Sequence, residues 1–288
     1  RDSGGVPKDK WKGPPERCFS VTSKNMTGQK MRHNGLPSLF RHIALAVLLF
    51  LVVLPQAKAE TPDAIWSSLL KTYVSTPADG INRFDYQHVS DTDRKRLASY
   101  LEQVQKLDPS QMPDNEQKAY WINLYNALTV KLVLDHYPVK SIRDIRPSFF
   151  SIGPWNEELA HVGGKTLSLN NIEHGILRKR WKDNRIHYAL NCASLGCPNL
   201  QAEPFTAQRL NEQLDHAARA YVNSPRGANI RNGKLTVSSI YNWCAEDFGT
   251  SDKSVIAHIA SYSTTARAAQ LNKMSDIYAY QYDWDLNA

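Results

Sequence analysis

Cysteine is scarce in this sequence, with four residues in 288, of which Cys192, Cys197 and Cys244 lie beyond residue 60. A small secreted domain stapled by disulfide bonds needs a denser and even set of cysteines, so that class of protein is excluded. An odd number of thiols in an oxidising compartment leaves at least one thiol free or linked to another molecule.

An excess of charge of one sign is absent from residue 60 onward. The whole chain carries a formal charge of +7, but its first 59 residues hold ten of the 35 basic and three of the 28 acidic side chains, which leaves 25 of each sign. Binding of a polyanion rests on a net positive field. We therefore predict no nucleic-acid partner.

The apolar run over residues 43–54 is too short for a permanent membrane span. Its twelve residues cover about 18 Å as a helix, against a hydrocarbon core of roughly 30 Å. Arg32 and Arg41 precede the run, Pro55 ends it, and residues 57–59 read Ala-Lys-Ala. This pattern predicts a signal peptide over residues 31–59, with an uncleaved short anchor as the alternative. We expect an exported protein, periplasmic or secreted after cleavage near Ala59, whose membrane contact is through the leader alone.

The remaining residues divide into two parts. Residues 1–30 are polar and without apolar periodicity, so we interpret them as a disordered upstream extension ahead of Met31. No low-complexity linker or internal repeat interrupts residues 60–288, which are long enough to form a single globular domain.

Three helices are predicted in the first half of this domain. Thr61 caps the first, with Pro62 at its first position. The second begins at about Asp91, and the third runs over about residues 115–136. The middle of the third helix is apolar nearly all round, which predicts a central buried helix.

The second half of the domain contains the patterns that predict strands. Residues 160–167 read as a hairpin, and Asn232-Gly233 predicts a turn that sets Ile230 opposite Leu235. Residues 185–191 are predicted as a buried strand and residues 278–286, which alternate aromatic and polar side chains, as the last strand. A short helix through about Arg180 and a helix over residues 206–223 lie between them. Cys244 and residues 247–249 we interpret as packing followed by a glycine helix stop.

These elements predict an α+β fold. We expect a single domain in which a helical N-terminal half, built around the central buried helix, packs on a mainly antiparallel sheet with hairpins.

Reactive side chains are densest between residues 173 and 197. We predict Cys192 as a nucleophile, His187 as its base and Glu173 as the group that orients the imidazole, with Asn191 assisting and His174 as a reserve base. The N–H groups of residues 193 and 194 are candidates for an oxyanion site. On an ideal strand the side chains of residues 187 and 192 face opposite ways, so the triad needs the strand to end or bulge.

Three structural interpretations compete with this triad. Cys192 and Cys197 can form a disulfide, they can be inert buried thiols, or they can hold zinc together with His174 and His187. Because the C-x4-C spacing is looser than that of typical zinc sites, we predict no metal and no cofactor.

The amides of the central helix form a second candidate site. Asn123 and Asn126 lie in a buried segment, where an amide without hydrogen bonds costs about 1–3 kcal/mol. They either tie the helix to loop backbone or, with Tyr125, line a groove that binds a substrate.

Several segments together resemble the domain of unknown function 547 family, which occurs in many bacterial exported proteins and at the C-terminal end of certain plant proteins. They are residues 120–127, 166–169, 172–178, 187–192, 197–198, 247–249 and 282–287. The similarity runs from about Asn82 to the C-terminus. It implies no established activity, because the family has none. In papain-like and transglutaminase-like enzymes the cysteine precedes the histidine, whereas Cys192 follows both His174 and His187, so an analogy with them requires a permuted site.

Two functions follow from these features. The first is a thiol-dependent hydrolase or acyltransferase that acts on a peptide or amide ligand, or on another ligand of the cell envelope. The second is a non-enzymatic periplasmic binding or scaffold module in which the same residues are structural.

Overall fold

The computed structural model describes residues 60–146 and 151–288. The predicted extension (residues 1–30) and signal peptide (residues 31–59) therefore lie outside the described residues. Within the described ranges, no helix combines the length and apolar character that crossing a bilayer requires.

About half of the described residues are helical. The α-helices are α1 (Pro62–Tyr73), α2 (Asp91–Gln105), α3 (Asp114–His136), α4 (Arg178–Trp181), α5 (Leu210–Val222), α6 (Ile240–Trp243), α7 (Ala245–Phe248), α8 (Asp252–Tyr262) and α9 (Thr265–Leu271). A π-helix, Asn171–Leu177, leads into α4, and a 3₁₀ helix, Asn184–Tyr188, follows it.

Capping side chains set where the N-terminal helices begin. Thr61 caps α1 by accepting the N–H of Ala64, and Ser90 caps α2 by accepting the N–H of Asp93. The prediction of a central buried helix is confirmed, because α3 has buried side chains on every face. A helix buried all round must be covered by neighbouring elements, and α2 and the π-helix pack against it.

The strands are short and form three small sheets. They are β1 (Val74–Ser75), β2 (Arg83–Phe84), β3 (Ala160–Val162), β4 (Lys165–Leu167), β5 (Ala228–Arg231), β6 (Lys234–Ser238) and β7 (Ala279–Gln281). The predicted hairpin over residues 160–167 is β3–β4, and in β5–β6 Ile230 pairs with Leu235 as the Asn-Gly turn predicts. Strand β7 adds to β6 in parallel, so the largest sheet is mixed.

The α+β fold class is confirmed, but two predicted strands are wrong. Residues 185–191 form the 3₁₀ helix and the loop that follows it, and the Asp183 side chain starts that helix by accepting the N–H of Arg185. A short buried apolar run has no periodicity that separates helix from strand. Of residues 278–286, only Ala279–Gln281 is a strand, because the later residues leave the sheet to pair with a distant loop.

The hydrophobic core consists of two clusters that meet at the 3₁₀ helix. The first is built mainly on α1, α2 and α3 and includes Ala189; the second is built on α5, β6 and α8 and includes Tyr188. Tyr188 of the second cluster lies in the sequence between Ile186 and Ala189 of the first, so the two clusters adjoin at residue 188. The candidate reactive residues lie on both sides of this point.

Candidate functional site

Cys192 and Cys197 lie side by side in the segment of residues 189–198, here called the cysteine loop. Their sulfur atoms are 2.8 Å apart, and the backbone N–H of Cys192 donates to the Cys197 sulfur at 2.8 Å. The hydroxyl of Tyr282 lies 3.0 Å and that of Ser194 3.4 Å from the Cys192 sulfur. Cys192 is partly exposed, whereas Cys197 is buried. Cys192 is thus the less buried of the two cysteines.

Hydrogen bonds and burial give the two thiols different acidities. Hydrogen bonds from Cys197, and then from Ser194 and Tyr282, lower the pKa of the Cys192 thiol despite burial. Burial raises the pKa of Cys197 well above its ordinary value. Burial likewise raises the pKa of Tyr282, so its phenol stays protonated and can donate to the sulfur. Cys192 is therefore the thiol that ionises first, and the thiolate is the nucleophilic form.

The C-terminal segment brings Tyr282 to the cysteine loop. The N–H of Leu195 donates to the carbonyl of Asp285 at 2.8 Å. The N–H of Gly196 donates to the carbonyl of Asp283, also at 2.8 Å. A Cβ at position 196 would lie 2.7 Å from the Asp283 nitrogen, so this close pairing requires glycine.

A cleft opens beside the cysteine loop, and its lining includes Gly196, Tyr282, Trp284 and Arg226. The guanidinium of Arg226 donates to the carbonyl of Leu195 at 2.9 Å. Its buried Nε has no hydrogen-bond partner among the described residues. The cleft lining thus carries one cation, Arg226, and two acidic residues, Asp79 and Asp283.

The cysteine loop is fixed by its own asparagine. Asn191 donates from Nδ2 to the carbonyl of Pro198 at 2.8 Å, and its Oδ1 accepts the N–H of Ala193 at 2.9 Å. The predicted oxyanion donor at residue 193 is therefore already engaged. Asn191 is buried and shapes the loop around Cys192 rather than contacting its sulfur.

The predicted substrate-binding amides of α3 both bond to loop backbone. Asn126 donates to the carbonyl of Ala189 and accepts the N–H of Asn191, each at 2.9 Å. Asn123 donates to the carbonyl of Phe205 at 2.8 Å and accepts its N–H at 3.0 Å. These contacts correspond to the structural alternative that the sequence left open. Asn126 thereby fixes where the cysteine loop leaves the 3₁₀ helix.

A second group of reactive side chains surrounds His187. The Nε2 atom of its ring lies 2.6 Å from Oδ2 of Asp247, and Nδ1 lies 3.7 Å from Oε1 of Glu173. The Cys244 thiol hydrogen-bonds the same ring. A carboxylate oxygen of Glu173, a ring nitrogen of His187 and the sulfur of Cys244 all lie within 4.8 Å of one another. Arg178 donates from Nε to Oδ2 of Asp247 at 2.5 Å.

Charge pairing decides the protonation of this second group. Burial opposes a charge on His187, but its interactions with Cys244, Asp247 and Glu173 outweigh burial and raise its pKa to about 10. Burial also opposes ionisation of Asp247, yet His187 and Arg178 lower its pKa to about 2. At neutral pH the ring is a cation, and a protonated imidazole cannot accept a proton from a thiol.

The structure brings together only part of the predicted triad. Glu173 and His187 are neighbours, but the thiol that bonds His187 belongs to Cys244. Among the described residues, no hydrogen bond joins the Cys192 sulfur to an imidazole. The physical reason is that His187 lies on a 3₁₀ helix, where its ring is directed at Asp247.

The predicted reserve base faces away from both thiol groups. The His174 side chain is 45% exposed and its Nδ1 lies 4.0 Å from Oε1 of Glu173. Arg178 donates to that Nδ1 at 2.7 Å. The zinc set considered from the sequence, which joined both histidines to Cys192 and Cys197, does not form among the described residues.

Tyr125 connects the two groups of reactive residues. Tyr125 is buried and hydrogen-bonds Glu173. Burial, and then the charges of Glu173, Cys192 and Cys197, raise the pKa of its hydroxyl. Tyr125 is 2% exposed, and the substrate-binding role predicted for it stays a prediction. Its contact holds the Glu173 carboxylate in place.

Sequence reasoning missed Cys244, Asp247 and Tyr282 as members of reactive groups. Cys244 and Asp247 were interpreted as packing, although their three-residue separation places both side chains near one face of a helical turn. Tyr282 was assigned to a regular strand. Each of these residues joins its group through a contact between distant parts of the chain.

Comparison with protein families gives a match to part of the domain. Residues 109–222 match the family described as "Protein of unknown function, DUF547". This part of the chain is similar to the DUF547 family. The matched region includes α3, the π-helix, His187 and the cysteine loop, whereas Cys244, Asp247 and Tyr282 lie beyond it. Comparisons with curated proteins and with solved structures give no match.

Proposed function

We propose that this protein is a thiol-dependent enzyme in which Cys192 attacks the substrate and Cys197 supplies the second thiol of a thiol–disulfide exchange. The 2.8 Å contact between the two sulfur atoms carries the proposal. A disulfide needs a separation of about 2.05 Å, which a small movement within one loop provides. An accessible acidic thiol beside a buried one is the arrangement that this chemistry requires.

The reaction takes place in two steps. The Cys192 thiolate attacks one sulfur of a substrate disulfide, forms a mixed disulfide and expels a substrate thiolate, which takes up a proton. The Cys197 sulfur, on losing its proton, then attacks the Cys192 sulfur and releases the second substrate thiolate. The substrate gains two electrons and the protein becomes a Cys192–Cys197 disulfide. The reverse sequence oxidises a substrate dithiol.

The cleft carries a cation near the thiol pair. The guanidinium of Arg226 lines the cleft next to the loop that carries Cys192. A disulfide with a carboxylate near its sulfur atoms would pair with this charge while its sulfur reaches Cys192. Export of the chain, which remains a prediction, would place the thiol pair in an oxidising compartment.

Acyl transfer, the reaction class predicted from the sequence, is a second candidate. The feature that favours it is the neutral phenol of Tyr282, 3.0 Å from the Cys192 sulfur, because a phenol at this position can stabilise an oxyanion. The two candidates differ in their need for Cys197. Acyl transfer from 4-nitrophenyl acetate to Cys192 should persist in Cys197→Ser, whereas disulfide turnover should stop there.

The test uses dithiobis-nitrobenzoate, an anionic aromatic disulfide whose released thiol is coloured. The reduced protein should release two thiols rapidly at the pair, one on attack and one on resolution. Cys197→Ser should release one rapidly and retain a mixed disulfide at Cys192, detected by its mass. Cys192→Ser should lose the rapid phase.

Dithiodipyridine, a neutral disulfide, distinguishes an effect on binding of the carboxylates from an effect on the reaction of the thiol. Arg226→Gln should slow the reaction with dithiobis-nitrobenzoate more than that with dithiodipyridine, since only the former carries carboxylates. A Cys192 that stays unreactive in the folded, reduced protein would contradict the proposal and favour the non-enzymatic module.

A further inference from the structure

We propose that Glu173, His187 and Cys244 form a binding site for a divalent transition-metal ion, with zinc as the best match. The three side chains converge from the π-helix, the 3₁₀ helix and the junction of α6 and α7. The inference goes beyond the proposed thiol chemistry and does not depend on it, because neither Cys192 nor Cys197 belongs to this set.

The spacing of the ligand atoms fits a metal ion. Zinc bonds of about 2.0–2.3 Å place neighbouring tetrahedral ligand atoms about 3.4 Å apart. The Nδ1 of His187 and the Oε1 of Glu173 are 3.7 Å apart, and one atom from each of the three residues lies within 4.8 Å of the others. Side-chain rotations that move each ligand atom by less than about one bond length bring the three atoms to the spacing that an ion requires.

The surroundings of His187 match those of a metal-bound imidazole. Such a ring usually donates its second N–H to a carboxylate, which fixes the tautomer and the ring orientation. Here Nε2 lies 2.6 Å from Asp247, which leaves Nδ1 directed at Glu173. Asp247 is itself held by Arg178, and Glu173 by Tyr125. Two of the proposed ligands, His187 and Glu173, are thus held in position by neighbouring side chains without the ion.

The charges balance when the ion is present. A divalent cation that displaces the Nδ1 proton of His187 and is bound by the Cys244 thiolate and the Glu173 carboxylate is neutral overall. The remaining anion, Asp247, is paired with Arg178. Buried charges that are compensated in this way carry a smaller desolvation penalty. A sulfur, nitrogen and oxygen ligand set suits zinc rather than the oxygen-preferring magnesium or calcium ions. Three protein ligands leave a fourth position for water or another group.

The test is a titration of the reduced, chelator-stripped full chain with Co²⁺, which reports its ligands by absorption. One cobalt ion per chain should bind with a thiolate-to-cobalt charge-transfer band, and Zn²⁺ should bleach that band by displacement. The Cys192→Ser, Cys197→Ser double variant should keep the band, since the proposed ligand is Cys244. Cys244→Ser should lose it.

Matched variants test the remaining ligands without removing a thiol. His187→Gln should abolish tight cobalt binding, whereas His174→Gln should not. Asp247→Asn, which keeps every ligand, should weaken affinity by about 10–100-fold. Circular dichroism establishes whether each variant is folded. The proposal is overturned if the folded unsubstituted protein gives no charge-transfer band. It is also overturned if the band survives Cys244→Ser, or if it is lost in the Cys192→Ser, Cys197→Ser double variant.

Discussion

Replacing Tyr282 with Phe should make the Cys192 thiol less acidic. The substitution removes the hydroxyl 3.0 Å from the sulfur but keeps the ring, which packs on Trp243 and Trp284 with centroid distances of 4.8 and 4.6 Å. Packing is therefore largely preserved. The change removes the hydrogen bond to the reacting sulfur, together with the one that the same hydroxyl accepts from Ser194 at 3.1 Å.

The expected magnitude follows from the difference between charged and neutral hydrogen bonds. A bond to a charged group is worth about 1.5–3 kcal/mol and one to a neutral group about 0.5–1.5 kcal/mol. Loss of the phenol thus disfavours the thiolate of Cys192 by about 1–1.5 kcal/mol relative to its thiol. Since one pH unit corresponds to about 1.4 kcal/mol, the pKa of Cys192 should rise by about one pH unit.

The reaction rate should change less than the ionisation. At a pH below the pKa, an increase of the pKa of Cys192 by one unit makes its thiolate about tenfold rarer. A more basic thiolate is about threefold more nucleophilic, which offsets part of this loss. Alkylation of Cys192 at fixed pH should therefore slow about threefold in Tyr282→Phe.

The assay is the pH dependence of iodoacetamide alkylation, measured on the peptide that contains Cys192 by mass spectrometry. Tyr280→Phe is the matched control, because that hydroxyl lies 3.4 Å from Asp252 rather than near a thiol. The control should leave the midpoint of the pH profile unchanged. A midpoint in Tyr282→Phe that is equal to or below that of the unsubstituted protein would refute the reasoning.

Three further substitutions have expected outcomes. Asn126→Ala should lower the free energy of unfolding by about 2–4 kcal/mol, measured by urea denaturation, because it leaves two buried backbone groups of the cysteine loop without partners. Gly196→Ala should destabilise the protein and slow thiol exchange, since its Cβ would lie 2.7 Å from the nitrogen of Asp283; unchanged stability and rate would contradict the pairing described above. Burial opposes ionisation of Asp183, but hydrogen bonds from Arg185 lower its pKa. The stability that this interaction contributes is present above about pH 3.9 and is lost as the pH falls through the lowered pKa. Asp183→Asn should therefore flatten the decline of unfolding free energy with acidification, and an equally steep decline would argue against it.

Local patterns predicted much of the fold. The Thr61 cap, the buried character of α3 and the register of the β5–β6 hairpin each depend on residues close together in the sequence. A two-residue Asn-Gly turn determines which residues face each other. The alternation in residues 278–286 was misleading, because pairing with the cysteine loop replaced pairing within a sheet for most of that segment.

The candidate site was predicted only in part for the same reason. Cys192, His187 and Glu173 lie close in the sequence, and Glu173 and His187 are close in space. The partner of each reactive group, however, comes from far along the chain: Tyr282 reaches Cys192, and Asp247 reaches His187. Such contacts depend on how the two core clusters pack, which the periodicity of a single segment does not encode.

The reduction potential of the Cys192–Cys197 pair tests the central claim most directly. The protein is equilibrated in glutathione buffers of graded potential, the remaining thiols are alkylated, and the pair is quantified by mass spectrometry. The account predicts reversible formation of a Cys192–Cys197 disulfide with a potential above about −300 mV, the range of exchangeable disulfides. A pair that never oxidises, or a disulfide that stays intact below that potential, would contradict it.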